Sequence, residues 1–461
     1  MYSSDDYKDV KVVIDRFLND ARDTKFEPKQ SPGPNINING NVKTSIIGSS
    51  FSTLKVKAKR QRTTLASSKQ PTAYVEIDTT TDDNEIFYHI DSEQDIWDMW
   101  YQFFADCRAN NTLHEFSLEK VGILQCGFTV EMRPCLIKEL YSLLVVNAAT
   151  IYNAFETYKE DIIRLFASED HKRFDINLKH FKGRNEQDRT AVFIAKVFKL
   201  MSTVSMNIQK LKWIKKSEAN YSEYLVWQFM KQVTNAIESD FICFEMGEYK
   251  LKSISLEILR RNDSQLKSCS YKADGCHSVI INDNFIELSL LEFTGKFDLS
   301  DLARSTRDHV KGSFSALSLL QQIGHLFKYA SLETFSSILV YFIHTLNDKI
   351  RLWSLEQVSP GVCIMNLIHT AIIPTQFNNS EIKMREVGNL LWTYKLGLES
   401  TIKNIYQLYK EHTSIELSIA RRTMNSAAAT KLSDSFEKGC VLKIRGEYIP
   451  GYEHLQINSS V

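Results

Sequence analysis

The stretch that decides the fold is Lys272–Lys311, KADGCHSVIINDNFIELSLLEFTGKFDLSDLARSTRDHVK. Its centre, FIELSLLEF, reads as a buried strand. Phe285, Ile286, Leu288, Leu290, Leu291 and Phe293 are apolar, with Glu287 and Glu292 set among them. A carboxylate in such a strand is costly unless a partner pairs with it or a metal takes it. Upstream, KADG places Asp274 one strand earlier, before a glycine that can turn the chain back. Downstream, a polar turn leads into DLARSTRDHVKG and brings Lys311 into the first turns of a helix. Asp274, Glu292 and a lysine, Lys296 or Lys311, are the parts a divalent-metal hydrolytic site needs. Hard oxygen ligands hold Mg²⁺, and an amine steadies the attacking water or the charge building on phosphate. No glycine-rich phosphate loop, HExxH or paired CxxC accompanies them.

Upstream of this stretch, SEANYSEYLVWQFMKQVTNAIES repeats Tyr221, Leu225, Phe229, Val233 and Ile237 every four residues, which predicts a helix from Ser217. Glu218 and Glu223 fall in its first two turns, where acids suit the helix dipole. DFICFEMGEY and LKSISLEIL then alternate as strands do. Downstream, a helix is expected from about Leu302 to Tyr329. SSILVYFIHTL and DKIRLWSLEQV form a hairpin about Asn347-Asp348, and VCIMNLIHTAII is a strand ended by Pro374. Helix returns from Ser380 to His412. The order predicts an α/β (α+β) domain.

This order, with these acids, resembles the PD-(D/E)XK (restriction-endonuclease-like) nuclease superfamily. The resemblance assigns Asp274 to the start of the second core strand and Glu292 to the strand acid. The helix glutamate is Glu218 or Glu223. The chain departs from the pattern at position 294, where the lysine of ExK is replaced by Thr294, and at Ala273, where a proline is usual. Lys296, past Gly295, or Lys311 stands in for the missing lysine. The resemblance implies a mixed, curved sheet flanked by helices, Mg²⁺ on Asp274 and Glu292, phosphodiester hydrolysis, and DNA or RNA as substrate. Residues 270–378 are also similar to a group of uncharacterised proteins of mucoralean-type fungi, on the elements Glu292 to Gly295, Asp308 to Lys311 and Pro374. The competing class is a nuclease-like fold kept without catalysis, binding nucleic acid or protein. In that case Glu292 simply pairs with Arg307 or Lys311, and Asp274 before Gly275 is an ordinary turn residue.

A chain of 461 residues with 43% hydrophobic content has length and core for two to three domains. Its 56 basic and 56 acidic residues cancel, so nucleic-acid binding must come from a local patch rather than a global field. Residues 1–85 are expected to be mostly disordered. They hold a short amphipathic piece, KDVKVVIDRFLNDAR, and a tract from Val42 to Gln70 with seven basic residues and no acid. Its KVKAKRQR core has the character of a nuclear import signal. An acidic run, VEIDTTTDDNE, then marks the edge of folded structure. Residues 86–214 are expected to be mainly helical. SEQDIWDMWYQFFADC is an aromatic helix capped by Asp91 or Ser92, with its rings in a core rather than stacked on bases, or offered to a protein partner. Pro134–Ala167 and Asp188–Ile214 are helices around a polar loop. The α/β domain occupies 215–415, and 416–461 is expected to be largely disordered. Eight scattered cysteines, with no signal peptide, predict an intracellular chain without a zinc framework. No apolar run is long enough to predict a membrane span. His277, His309, His325, His344 and His369 show no metal-ligand spacing.

Overall fold

A computed structural model describes residues 93–436, apart from 115, 128, 145–152, 154, 168–169, 240, 262–270 and 426–428. The N-terminal amphipathic piece, the basic tract, the acidic run, the caps Asp91 and Ser92, and the strand-like patch CVLKIRGEYIPGY lie outside the described residues.

The elements in order are α1 (Glu93–Ala109), β1 (Ile123–Gly127), α2 (Lys138–Ser142), α3 (Lys159–Phe166), α4 (His171–Arg184), α5 (Arg189–Thr203), α6 (Ile208–Ile214) and α7 (Glu218–Tyr221). A π-helical turn, Ser222–Val226, joins α7 to α8 (Trp227–Ala236). There follow β2 (Ile242–Lys250), α9 (Lys252–Arg261), β3 (Lys272–Ile281), β4 (Asn284–Thr294) and α10 (Leu302–Leu326). The chain continues through α11 (Leu332–Phe335), β5 (Val340–Leu346), β6 (Lys349–Ser359), β7 (Val362–Ile372) and the long α12 (Glu381–Ala420).

The seven strands form one mixed sheet in the order β1-β7-β6-β5-β4-β3-β2. Pairs β4–β5 and β1–β7 are parallel and the others antiparallel. The parallel β4–β5 pair requires a crossover, and α10 supplies it. Two tight turns fix the hairpins. Asn282 and Asp283 both take positive φ between β3 and β4, and the expected turn at Asn347 takes positive φ between β5 and β6. Helices α9 and α10 cover one face of the sheet, while α8 and α12 cover the other and α5 packs on both of these. Buried side chains from both layers and from the sheet belong to one continuous core. A smaller cluster seats Trp97, Trp100 and Phe104 of α1 on Leu124, Cys126, Val362 and Ile364 at the β1–β7 edge, so these rings are core residues.

Strand β4 carries a bulge. His277 pairs with Ser289 but Ser278 pairs with Glu287, which leaves Leu288 as the extra residue. Glu287 and Glu292 are five positions apart, and plain alternation would send them to opposite faces. The bulge returns both to the α9–α10 face, while Ser289 points to Tyr394 of α12 on the other.

Several local expectations are corrected. LKSISLEIL is helix α9 rather than strand. Ile254 and Ile258 are buried one turn apart, and the Glu287 carboxylate accepts the Lys252 and Ser253 N–H groups at 2.8 and 2.9 Å. That contact is the partner Glu287 needed. The supposed polar loop after residue 168 contains α4, whose Phe174, Leu178 and Phe181 are buried on one face and whose N-terminus is capped by Asp170. The continuous helix expected over Asp188–Ile214 breaks into α5 and α6, bent by 87°, because Asn207 caps a fresh start at Gln209 and Lys210. Pro134–Ala167 holds only the short α2 and α3 and a 3₁₀ turn, Glu156–Tyr158, among its described residues. Strand β1 was not expected. In the tail, Leu432 is buried, its N–H donating to the Lys328 carbonyl at 2.8 Å, and the Ser435 carbonyl accepts the Gly361 N–H. Among the described residues no single helix is long and apolar enough to cross a membrane.

Candidate functional site

Glu292 lies near the C-terminal end of β4, where β4 runs parallel to β5 and the chain leaves for α10. Its side chain is 3% exposed. Lys311, three turns into α10, reaches back to it, with Nζ 2.8 Å from Oε2, and donates also to the Lys272 carbonyl at 2.7 Å. Asp308 sits three residues before Lys311 and so shares its helix face. Asp308 Oδ2 accepts from the Thr294 hydroxyl at 3.1 Å, and that hydroxyl lies 2.8 Å from Nε2 of the buried His344 on β5. Arg304, one turn earlier, lies 3.6 Å from Asp308 and pairs with Glu218 at the start of α7.

Asp274 comes in on β3. Gly275 pairs with Leu291, which places Asp274 opposite Glu292 one step further on. Its Oδ2 accepts the Phe293 N–H at 2.8 Å, and its carbonyl accepts the indole N–H of Trp227 at 2.9 Å, which ties β3 to α8. The result is a buried floor of Glu292 and Thr294 under a half-exposed rim of Asp274, Asp308, Lys311, Arg304 and Glu218.

The charges act on one another. Burial pushes Glu292 up to about 8; Lys311 opposes the rise, and the Asp274 and Asp308 carboxylates add to it. Burial likewise pushes Asp308 up to about 6 against its Thr294 hydrogen bond and the nearby cations. Asp274 is raised by burial, with the Phe293 N–H pulling the other way. Burial works against the charge on Lys311, but Glu292, Asp274 and Asp308 together outweigh it and hold the amine above the usual lysine range. Glu292 bears the desolvation cost because it lies deeper than Lys311, whose side chain is 28% exposed. Oε1 of Glu292 is buried without a hydrogen-bond partner, an expensive state for an acceptor.

Of the residues the sequence singled out, Asp274, Glu292, Lys311 and Glu218 come together. Lys296 does not: it is exposed in the turn after β4. Glu223 is exposed on the π-helical turn, outside the groups that act on the cluster. The ion partner of Glu292 is Lys311, not Arg307. Asp308 and Arg304 were missed as site residues, although the R-x-x-x-D-x-x-K spacing marks a shared helix face. Thr294, a gap in the ExK pattern, is the hydrogen-bonded link between Asp308 and His344.

No family model matches the chain, and no curated protein or solved structure matches it. Among the described residues no group of three or more His, Cys, Asp or Glu side chains is disposed to hold a metal ion. Two carboxylates with water are nonetheless a normal Mg²⁺ environment, since that ion keeps several waters and often takes only one or two protein oxygens. The all-oxygen character of the acids and the unpartnered Oε1 of Glu292 fit such an ion.

Proposed function

We propose that this cluster is the hydrolytic site of a divergent restriction-endonuclease-like domain acting on phosphodiester bonds of nucleic acid. The observation that carries the reading is the buried Glu292, with Lys311 on one oxygen, the other oxygen unpartnered, and Asp274 and Asp308 beside it. Asp274 and Glu292 would hold Mg²⁺, which supplies charge neutralisation on phosphate and a more acidic water. Lys311 is the lysine of the site. It arrives from the helix instead of the strand, and its amine is held charged where phosphate charge would build. Thr294, fixed by His344, orients Asp308. Arg304 ties Glu218 to the rim and offers a guanidinium to a phosphate.

The test is Mg²⁺- and Mn²⁺-dependent cleavage of single- and double-stranded DNA and RNA by wild type, Asp274→Asn and Glu292→Gln. Metal-dependent cleavage that disappears in both variants is expected. No cleavage under any condition, with both variants folded, would assign the cluster to a catalytically inactive fold that binds without cutting.

A further inference from the structure

The segment Ile208–Tyr224, which leads into the rim residue Glu218, carries an exposed aromatic and basic face. Its sequence is IQKLKWIKKSEANYSEY. Trp213 is 58% exposed and Tyr224 39%, with their rings 6.1 Å apart at 73°. A tryptophan left this open is unusual for a residue that normally buries most of its surface. Lys210, Lys212 and Lys216 lie three before, one before and three after it in the chain, all exposed and without a salt bridge among the described residues. Of the nearby acids, Glu218 is already paired with Arg304 and Asp298 with Lys215, while Glu223 is exposed beside Tyr224; the segment's four lysines still outnumber its two acids.

The face is held in place. The Trp213 carbonyl accepts the Asn220 side-chain amide at 3.0 Å, and the Ser217 hydroxyl accepts the Asn220 backbone N–H. Lys215 reaches Asp298, in the turn after β4, at 2.6 Å. Tyr221 packs edge-on against Phe293 and Phe297, at 5.4 and 5.2 Å between ring centroids. The aromatic face is therefore anchored to the same strand end that presents Glu292.

We infer that Trp213 and Tyr224, with Lys210, Lys212 and Lys216, form a docking platform for single-stranded nucleic acid that leads a strand to the carboxylate cluster. The inference rests on the nucleic-acid reading of the site but not on its being catalytic. Unpaired bases present π-faces that stack on aromatic rings irrespective of sequence, and their phosphates track a line of unpaired cations. A duplex hides its base faces and lacks the first of these contacts. A protein partner would meet uncompensated lysines, so charge complementarity favours the polyanion.

The experiment is fluorescence anisotropy of labelled oligo(dT) and oligo(U), with a DNA duplex for comparison. The full chain is used in a chelator so that no cutting occurs. Trp213→Ala is expected to weaken oligo(dT) binding about tenfold or more, with Trp213→Phe recovering most of it. The triple change Lys210→Gln, Lys212→Gln, Lys216→Gln is expected to flatten the slope of log K against log salt by about 2. Binding lost in the platform variants, with no cleavage by any protein, upholds the platform and rejects the hydrolytic reading. Cleavage by wild type, with binding untouched in the platform variants, overturns the platform and leaves the hydrolytic site standing. Unchanged binding combined with a drop in sedimenting mass for Trp213→Ala also overturns it, and gives the face to a second copy of the chain.

Discussion

Replacing Glu292 with glutamine should stabilise this protein, and by an amount that depends on pH. The carboxyl ionises at an ordinary 4.5 when unfolded, but burial pushes it up to about 8 in the fold. Between those values the folded protein keeps a proton that the unfolded chain has released. That stabilising proton is fully held below pH 4.5 and is lost as pH rises through 8, so wild-type stability falls over this window. Each pH unit of the gap is worth about 1.4 kcal/mol. The wild type therefore carries a penalty of about 3 kcal/mol at pH 7, levelling off near about 5 kcal/mol above pH 8. Glutamine keeps the shape without the titration. Lys311 is not stranded by the change, because it is partly solvated and still donates to the Lys272 carbonyl. Urea unfolding at pH 5, 7 and 9 reads the difference directly. Little difference at pH 5 and a variant more stable by several kcal/mol at pH 9 is the expected pattern. A variant about 3 kcal/mol or more less stable at all three values would refute the reasoning, because it would mean that the Glu292–Lys311 pair is a net stabiliser, ionised throughout.

Four further outcomes follow from the same geometry. Lys311→Met should lower metal-dependent cleavage about 100-fold or more, while Lys296→Met and Glu223→Gln, which sit outside the cluster, should leave it within about twofold; equal losses in all three would misplace the site. On the proposed reading a metal would displace the Glu292 proton, so the Mn²⁺ concentration for half-maximal binding, measured by calorimetry, should fall about tenfold per pH unit between pH 6 and 8 and then flatten. Gly312→Ala puts a methyl 2.3 Å from the buried Phe342 ring and should cost about 1–3 kcal/mol despite the better helix propensity, as thermal unfolding would reveal. Glu287→Ala strips the cap from α9 and leaves the Lys252 and Ser253 N–H groups without their acceptor. A loss of about 2 kcal/mol or more is expected, with hydrogen exchange quickened at those two amides.

Much of the sheet could be read from the chain because β3 to β7 are long, apolar and separated by turn residues whose chemistry is local. Asn282-Asp283 and Asn347-Asp348 mark their hairpins without reference to anything distant. α9 could not be read, because LKSISLEIL satisfies both periodicities and what decides between them is Glu287, far along the chain on β4. α4 was hidden by its charged composition, which masks three well-spaced apolar residues. At the site, Asp274 and Glu292 stood out because acids in apolar strands are conspicuous. The choice between Lys296 and Lys311 was not legible, since it depends on how α10 folds back over β4. Asp308 was quoted only as part of a helix start, because nothing in its neighbours tells which face of that helix meets the sheet.

The single extra residue in β4 has a consequence for how such chains tolerate change. Along a strand, odd and even positions belong to different surroundings, and Leu288 is where the two sets exchange places. Deleting it would not merely shorten the strand. Either Glu287 would lose its helix or Glu292 would turn away from Lys311, whichever half slipped. A chain of this kind can therefore exchange one hydrophobic residue for another along β4 with modest effect, yet cannot gain or lose one there. The spacing between the two glutamates, rather than the identity of anything between them, is the quantity that must be inherited intact.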